Sequence, residues 1–131
     1  DYYASRGLGD VYKRQAANRL TEAERKASVK RAAQMLAEKT AHFAKEMGVT
    51  YGRITIREQK TRWGSCSSAG NLNYNWKLVL MPERVMDYVV IHELAHRKEM
   101  NHSARFYAVV AQQMPDYKVW QSWLKEHGRE Y

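Results

Sequence analysis

His92-Glu93-Leu94-Ala95-His96 sets two imidazoles four residues apart with a carboxylate between them. On a helix, that spacing stacks both rings on one face, one turn above the other, so both can address one metal ion. Glu93 lies about 100° further round, near enough to reach a water on that ion without replacing a ligand. Catalytic zinc takes three protein ligands and keeps one position for water. His102 is the candidate third ligand. It follows His96 by six positions, too far along to share a straight helical face. The helix is therefore expected to run to about Glu99 and to turn back near Met100-Asn101, with Asn101 suited to a left-handed backbone. Val89-Val90-Ile91 lead into the motif without a polar break, so this helix should be largely buried. Buried imidazoles and a buried carboxylate need partners, and a metal supplies one. Three of the chain's five histidines fall between positions 92 and 102.

The chemistry such a set serves is hydrolysis. Zinc lowers the pKa of its bound water from roughly 16 to about 7. Glu93 would take that proton as hydroxide attacks a scissile carbonyl, then hand it to the leaving amine. One zinc ion is the expected cofactor; nickel, cobalt or copper would accept the same nitrogens. Arg97, Tyr107 and Tyr117 are candidates for a second oxyanion donor by residue type alone. Cys66 as a fourth ligand would close the site to water, and it reads better as a small buried hydrophobe.

These residues need elements to position them. Thr21-Glu22-Ala23-Glu24 is a capping-box pattern opening a helix that should reach Met47, with Gly48 as its stop. Val29, Ala33, Leu36, Phe43 and Met47 form its apolar stripe, and His42 sits on it as a surface or half-buried residue. Arg53 to Arg57 alternates as a strand, and Ser68-Ala69-Gly70-Asn71 signals a turn. Leu72 to Leu80 alternates for nine residues, which predicts an antiparallel meander with one covered face. Asn73 and Asn75 fall on the other face, where they could orient a histidine, hold a loop or meet solvent. Pro82 and Glu83 open the metal-motif helix. Ser103 starts another, and Asp116 caps a last one carrying Trp120 and Trp123, which with Tyr107 read as packing. The order predicts an α+β fold, helices against a small antiparallel sheet, with the His-Glu motif on a central buried helix.

The length of 131 residues suits one domain, and 44% hydrophobic residues suit a globular one. Residues 1–15 lack any sustained period and resemble translated adapter sequence left at the ends of assembled reading frames. They are read as a non-native or disordered extension, with 16–131 as the domain. The natural chain is then expected to begin earlier. No apolar run reaches the ~18 residues of a membrane span. A lone cysteine fits a reducing, cytoplasmic setting. The net charge of +8 is scattered rather than blocked, which fits a solvated surface better than a nucleic-acid groove.

Arg62-Trp63-Gly64-Ser65-Cys66-Ser67, Asn73-x-Asn75-Trp76, His92-Glu93-Leu94-Ala95-His96 and Asn101-His102-Ser103-x-x-Phe106 together resemble the YgjP-like metallopeptidase family. That family is related to the SprT-like proteases within the zincins. The resemblance spans roughly residues 20–128. It implies a zincin-type fold, one zinc ion on His92, His96 and His102, and Glu93 as catalytic acid/base, acting on peptide or protein. It also implies a β-rich segment ahead of the first helix that this chain lacks, so a reduced sheet is expected. In zincins generally an edge strand beside the metal helix pairs with extended substrate, and the strand near Arg62, Trp63 and Cys66 could serve so; Trp63 otherwise reads as core. The competing reading is a nucleic-acid-associated SprT-like protease or a non-catalytic zinc module. Salt-dependent DNA binding would separate these readings.

Overall fold

The computed structural model describes residues 19–131; the extension expected over 1–15 lies outside them. The first helix, α1, spans Glu22–Met47. Both halves of the capping box are formed, with the Thr21 hydroxyl accepting from the Glu24 amide and the Glu24 carboxylate accepting from the Thr21 amide. Gly48 ends it at φ 70°, a left-handed conformation that costs glycine nothing. The buried positions are Ala32, Leu36, Thr40, Ala44 and Met47. Val29, Ala33 and Phe43 of the expected stripe lie at its half-buried margin.

Three strands follow: β1 Ile54–Arg57, β2 Gly64–Cys66 and β3 Leu72–Asn75. The sheet corrects the expected antiparallel meander. Its order is β1-β3-β2, with β1 parallel and β2 antiparallel to β3. β3 is the most buried strand, and inserting it between the other two covers both of its edges. The chain therefore crosses from β1 to β2 over the end of β3 through residues 58–63. Asn75, only 2% exposed, fixes that crossing. Its amide group donates to the carbonyls of Gln59 at 2.8 Å and Arg62 at 3.3 Å.

The same residue ends the strand. The Asn75 side chain accepts from the Lys77 amide, and Trp76–Leu80 is a 3-10 helix rather than the continued strand that alternation predicts. In a 3-10 helix Trp76 and Leu78 still reach the core, so alternation alone does not separate the two states. Asn75→Ala should cost about 2 kcal/mol, since it leaves two carbonyls and one amide without their partner. A fall in the urea midpoint at unchanged slope would read it, and an unchanged midpoint would count against it.

Helix α2 spans Glu83–Ala95, α3 Ala104–Gln113 and α4 Tyr117–His127, and residues Gly128–Glu130 close with a 3-10 turn. Ten residues of α2 are buried, among them Val89, Val90, Ile91 and Glu93. α2 packs against α1, α3, α4 and β2, and the fold is α+β. α2 ends at Ala95, earlier than expected, with His96 as its C-cap. The chain then turns through Arg97, Lys98 and Glu99, whose amides bond back to Leu94 and Ala95. Among the described residues no non-glycine has positive φ, so Asn101 does not use the left-handed conformation expected of it. Backbone bonds already close the turn. The Ser103 hydroxyl caps α3 by accepting from the Phe106 amide. Asp116 precedes α4 without a side-chain cap; its carboxylate instead takes the Trp120 indole N–H and Arg84. No helix among the described residues is long and apolar enough to cross a membrane.

Candidate metal centre

α2 delivers His92 one turn before its end and His96 at its C-cap, and the turn after it returns His102. The Nε2 atom of His102 lies 3.2 Å from Nε2 of His92 and 3.1 Å from Nε2 of His96. A tetrahedral ion with Zn–N near 2.0–2.1 Å would hold its nitrogens about 3.3 Å apart, so the spacing fits the ion the sequence implies. These three imidazoles are the group among the described residues that could hold a metal. The sulfur of Cys66 and the carboxylate of Glu93 lie outside that group.

The far nitrogens are also placed. Nδ1 of His96 lies 3.3 Å from the Glu99 carbonyl, which can only accept, so Nδ1 carries the proton and Nε2 keeps its lone pair. Nδ1 of His92 lies 3.3 Å from the Tyr88 hydroxyl. Outer partners of this kind fix the tautomer and aim of a ligating ring. Phe106 packs against all three rings at centroid distances of 4.5–4.9 Å. Burial pushes the His92 imidazole down to about 4, with His96 and His102 adding to it, and burial also lowers His96. Both rings are therefore neutral near pH 7, the state a metal requires.

Glu93 is 7% exposed. Burial pushes its carboxyl up to about 7, against the opposing pull of Arg62. β2 approaches it closely. A Cβ at Gly64 would lie 3.1 Å from Glu93 Cγ, Glu93 Oε2 and Val89 Cγ1, so any larger residue there would press on the carboxylate and Val89. A cavity of about 340 Å³ lies over the three imidazoles, Glu93, Arg62 and β2. Burial, then the Glu93 charge, raise the Cys66 thiol at its edge.

Several expectations by residue type do not converge here. Arg97 donates to the carbonyls of Thr50 and Ser68 and ties loops together. Tyr107, by contrast, lies beside the site, its ring 6.3 Å from that of His102 while it stacks on Tyr117 at 5.8 Å. Asn73 bridges Arg57 and Ser65 on the far face of the sheet, and Asn75 holds a loop rather than a histidine. Several of the basic residues are likewise engaged within the molecule, Arg25 with Glu58, Lys39 with Asp87 and Arg84 with Asp116. Tyr88 and the Arg62 charge were not foreseen at the site. Tyr88 had a signal: a tyrosine one turn before His92, on the same helical face. Arg62 is expected from the sequence on or near a strand beside the metal helix, but its action on Glu93 is not legible there, because it reaches the carboxylate from another element.

Comparison with known proteins adds an independent line. The profile of the YgjP-like metallopeptidase domain matches residues 4–127. The structure resembles the crystal structure of the metallopeptidase zymogen of Pyrococcus abyssi, abylysin, with a TM-score of 0.62 and 23% identity, covering 70% of this chain and 93% of that one. It resembles the zymogen of Methanocaldococcus jannaschii, jannalysin, with a TM-score of 0.61 and 18% identity, covering 70% and 94%. At these identities the likeness speaks to the fold. No curated protein matches. The profile spans nearly the whole chain, and the chain belongs to the YgjP-like metallopeptidases, a family of hydrolases.

Proposed function

We propose that this metallopeptidase is zinc-dependent, that His92, His96 and His102 hold one zinc ion through their Nε2 atoms, and that Glu93 is its general acid/base. The observation that carries the reading is the approach of the His102 nitrogen to within 3.2 Å of both others, with a buried carboxylate alongside but outside the cluster. When bound, the ion supplies an activated water and polarises the scissile carbonyl. Glu93 takes the water's proton. Burial has raised its basicity to about 7, close to the working pH at which a general base is most effective. The resulting carboxylic acid then protonates the leaving amine. Arg62 opposes the effect of burial and so favours the ionised form that begins the cycle.

β2 is an edge strand of the sheet, and Gly64, Ser65 and Cys66 border the cavity. Its free backbone groups can pair with an extended peptide and lay the scissile bond across the site. The substrate is a peptide or protein, and the unpaired Cys66 fits a cytoplasmic setting.

The test is elemental analysis together with peptide hydrolysis, before and after chelation. One equivalent of zinc, activity lost to the chelator and activity restored by zinc are expected. Undiminished hydrolysis by metal-stripped protein would end the reading.

A further inference from the structure

Beside the metal centre lies a second cavity, of about 240 Å³. It shares Arg62, Gly64, His92 and Glu93 with the first, and its remaining walls include Trp63, Tyr88, Val89 and Leu124. We propose that this cavity takes a large apolar side chain, leucine or phenylalanine in kind, from a residue flanking the scissile bond. The inference rests on the peptidase reading and deepens it.

Three observations carry it. Continuity comes first: Glu93 and His92 line both cavities, so a side chain seated here belongs to a residue next to the bond that Glu93 serves. Size agrees, since a cavity of about 150 Å³ with apolar walls holds a benzene ring. The walls are also fixed. The Tyr88 hydroxyl is engaged by His92 and Gln121, which leaves its ring as the surface presented. The Trp63 indole rests on Gly128, where a Cβ would meet Cζ2 and Nε1 at 3.1 Å. The 3-10 turn after α4 thus backs one wall of the pocket, and α4 itself contributes Leu124 to another. Beyond the shared His92 and Glu93, Thr61 and Arg62 are its polar lining, and against the Trp63, Tyr88, Val89 and Leu124 walls an amide side chain would lose water for few partners.

The experiment offers zinc-loaded protein a set of peptides differing only at the residues flanking one bond, with cleavage read by mass spectrometry. Bonds flanked by leucine or phenylalanine should be cut about ten-fold or more faster than those flanked by glycine or asparagine, the discrimination an apolar pocket gives. Leu124→Trp, which fills the pocket away from the metal, should abolish that preference and leave the slower bonds unchanged. Its melting temperature checks that it folds. Cleavage indifferent to the flanking residue, or a profile untouched by Leu124→Trp, overturns the pocket and leaves the peptidase reading standing. If nothing is cut, the peptidase reading fails and the pocket is read by binding alone. The Trp63 indole N–H resonance should then shift with N-acetyl-leucinamide and not with N-acetyl-glycinamide, and equal responses to both would overturn it.

Discussion

Glu93→Gln is expected to keep the metal content of the wild type and to slow peptide hydrolysis by about 10²–10⁴-fold, the range a positioned general acid/base supplies. Glutamine has the size and shape of the carboxylate, so Gly64 and Val89, whose positions a Cβ at Gly64 shows to be tightly set, need not move. Glutamine cannot accept a proton, so the chemical step alone is lost. The carboxylate stands apart from the three-imidazole cluster, which is why the metal should stay. Removing a charge that burial disfavours should also leave the variant at least as stable as the wild type. Turnover on a single peptide and zinc per chain, measured on the same preparation, decide it. Hydrolysis within about three-fold of wild type, against the range expected, would assign the proton transfer elsewhere.

His102→Ala is expected to weaken zinc binding by more than about 100-fold. Loss of an outer-shell partner alone costs 10–100-fold, and His102 stands in the inner shell of the proposed site. The remaining pair, His92 and His96, would leave the ion with two protein ligands where catalytic sites use three. The fold should survive. His102 is exposed, and its described contacts are with the other two imidazoles, Phe106 and Tyr107. Competition with a chromophoric chelator gives the affinity. His127→Ala is the matched control, since His127 pairs with Glu130 and packs on Trp123 away from the site. An affinity unchanged in the first variant, or lowered equally in both, would remove His102 from the ligand set.

The elements that the chain encodes locally are the ones legible in the residues. Thr21, Glu24 and Gly48 bound α1 because a cap is a contact between residues at most a few positions apart. Ser103 starts α3 for the same reason. His92 within α2 and His96 at its C-cap share a face because the helical repeat alone puts them there. The bend that brings back His102 follows from its distance along the chain, although the helix stops at Ala95 and the turn needs no left-handed residue.

What the tertiary structure decided was how segments far apart in the chain meet. Burying β3 on both edges set the sheet order and made β1 parallel to it, and no residue in either strand announces that choice. The apolar alternation through Leu80 was satisfied equally by a strand and by a 3-10 helix, and the Asn75 side chain settled it by capping. Arg62 came to Glu93, Gly64 admitted β2 against it, and Trp63 met Tyr88 and Leu124 around one cavity only once the core had closed. A sequence specifies its own short-range contacts through geometry fixed at each residue. Which distant residues share a cavity depends on the packing of the whole core, where area buried rather than position along the chain selects the partners.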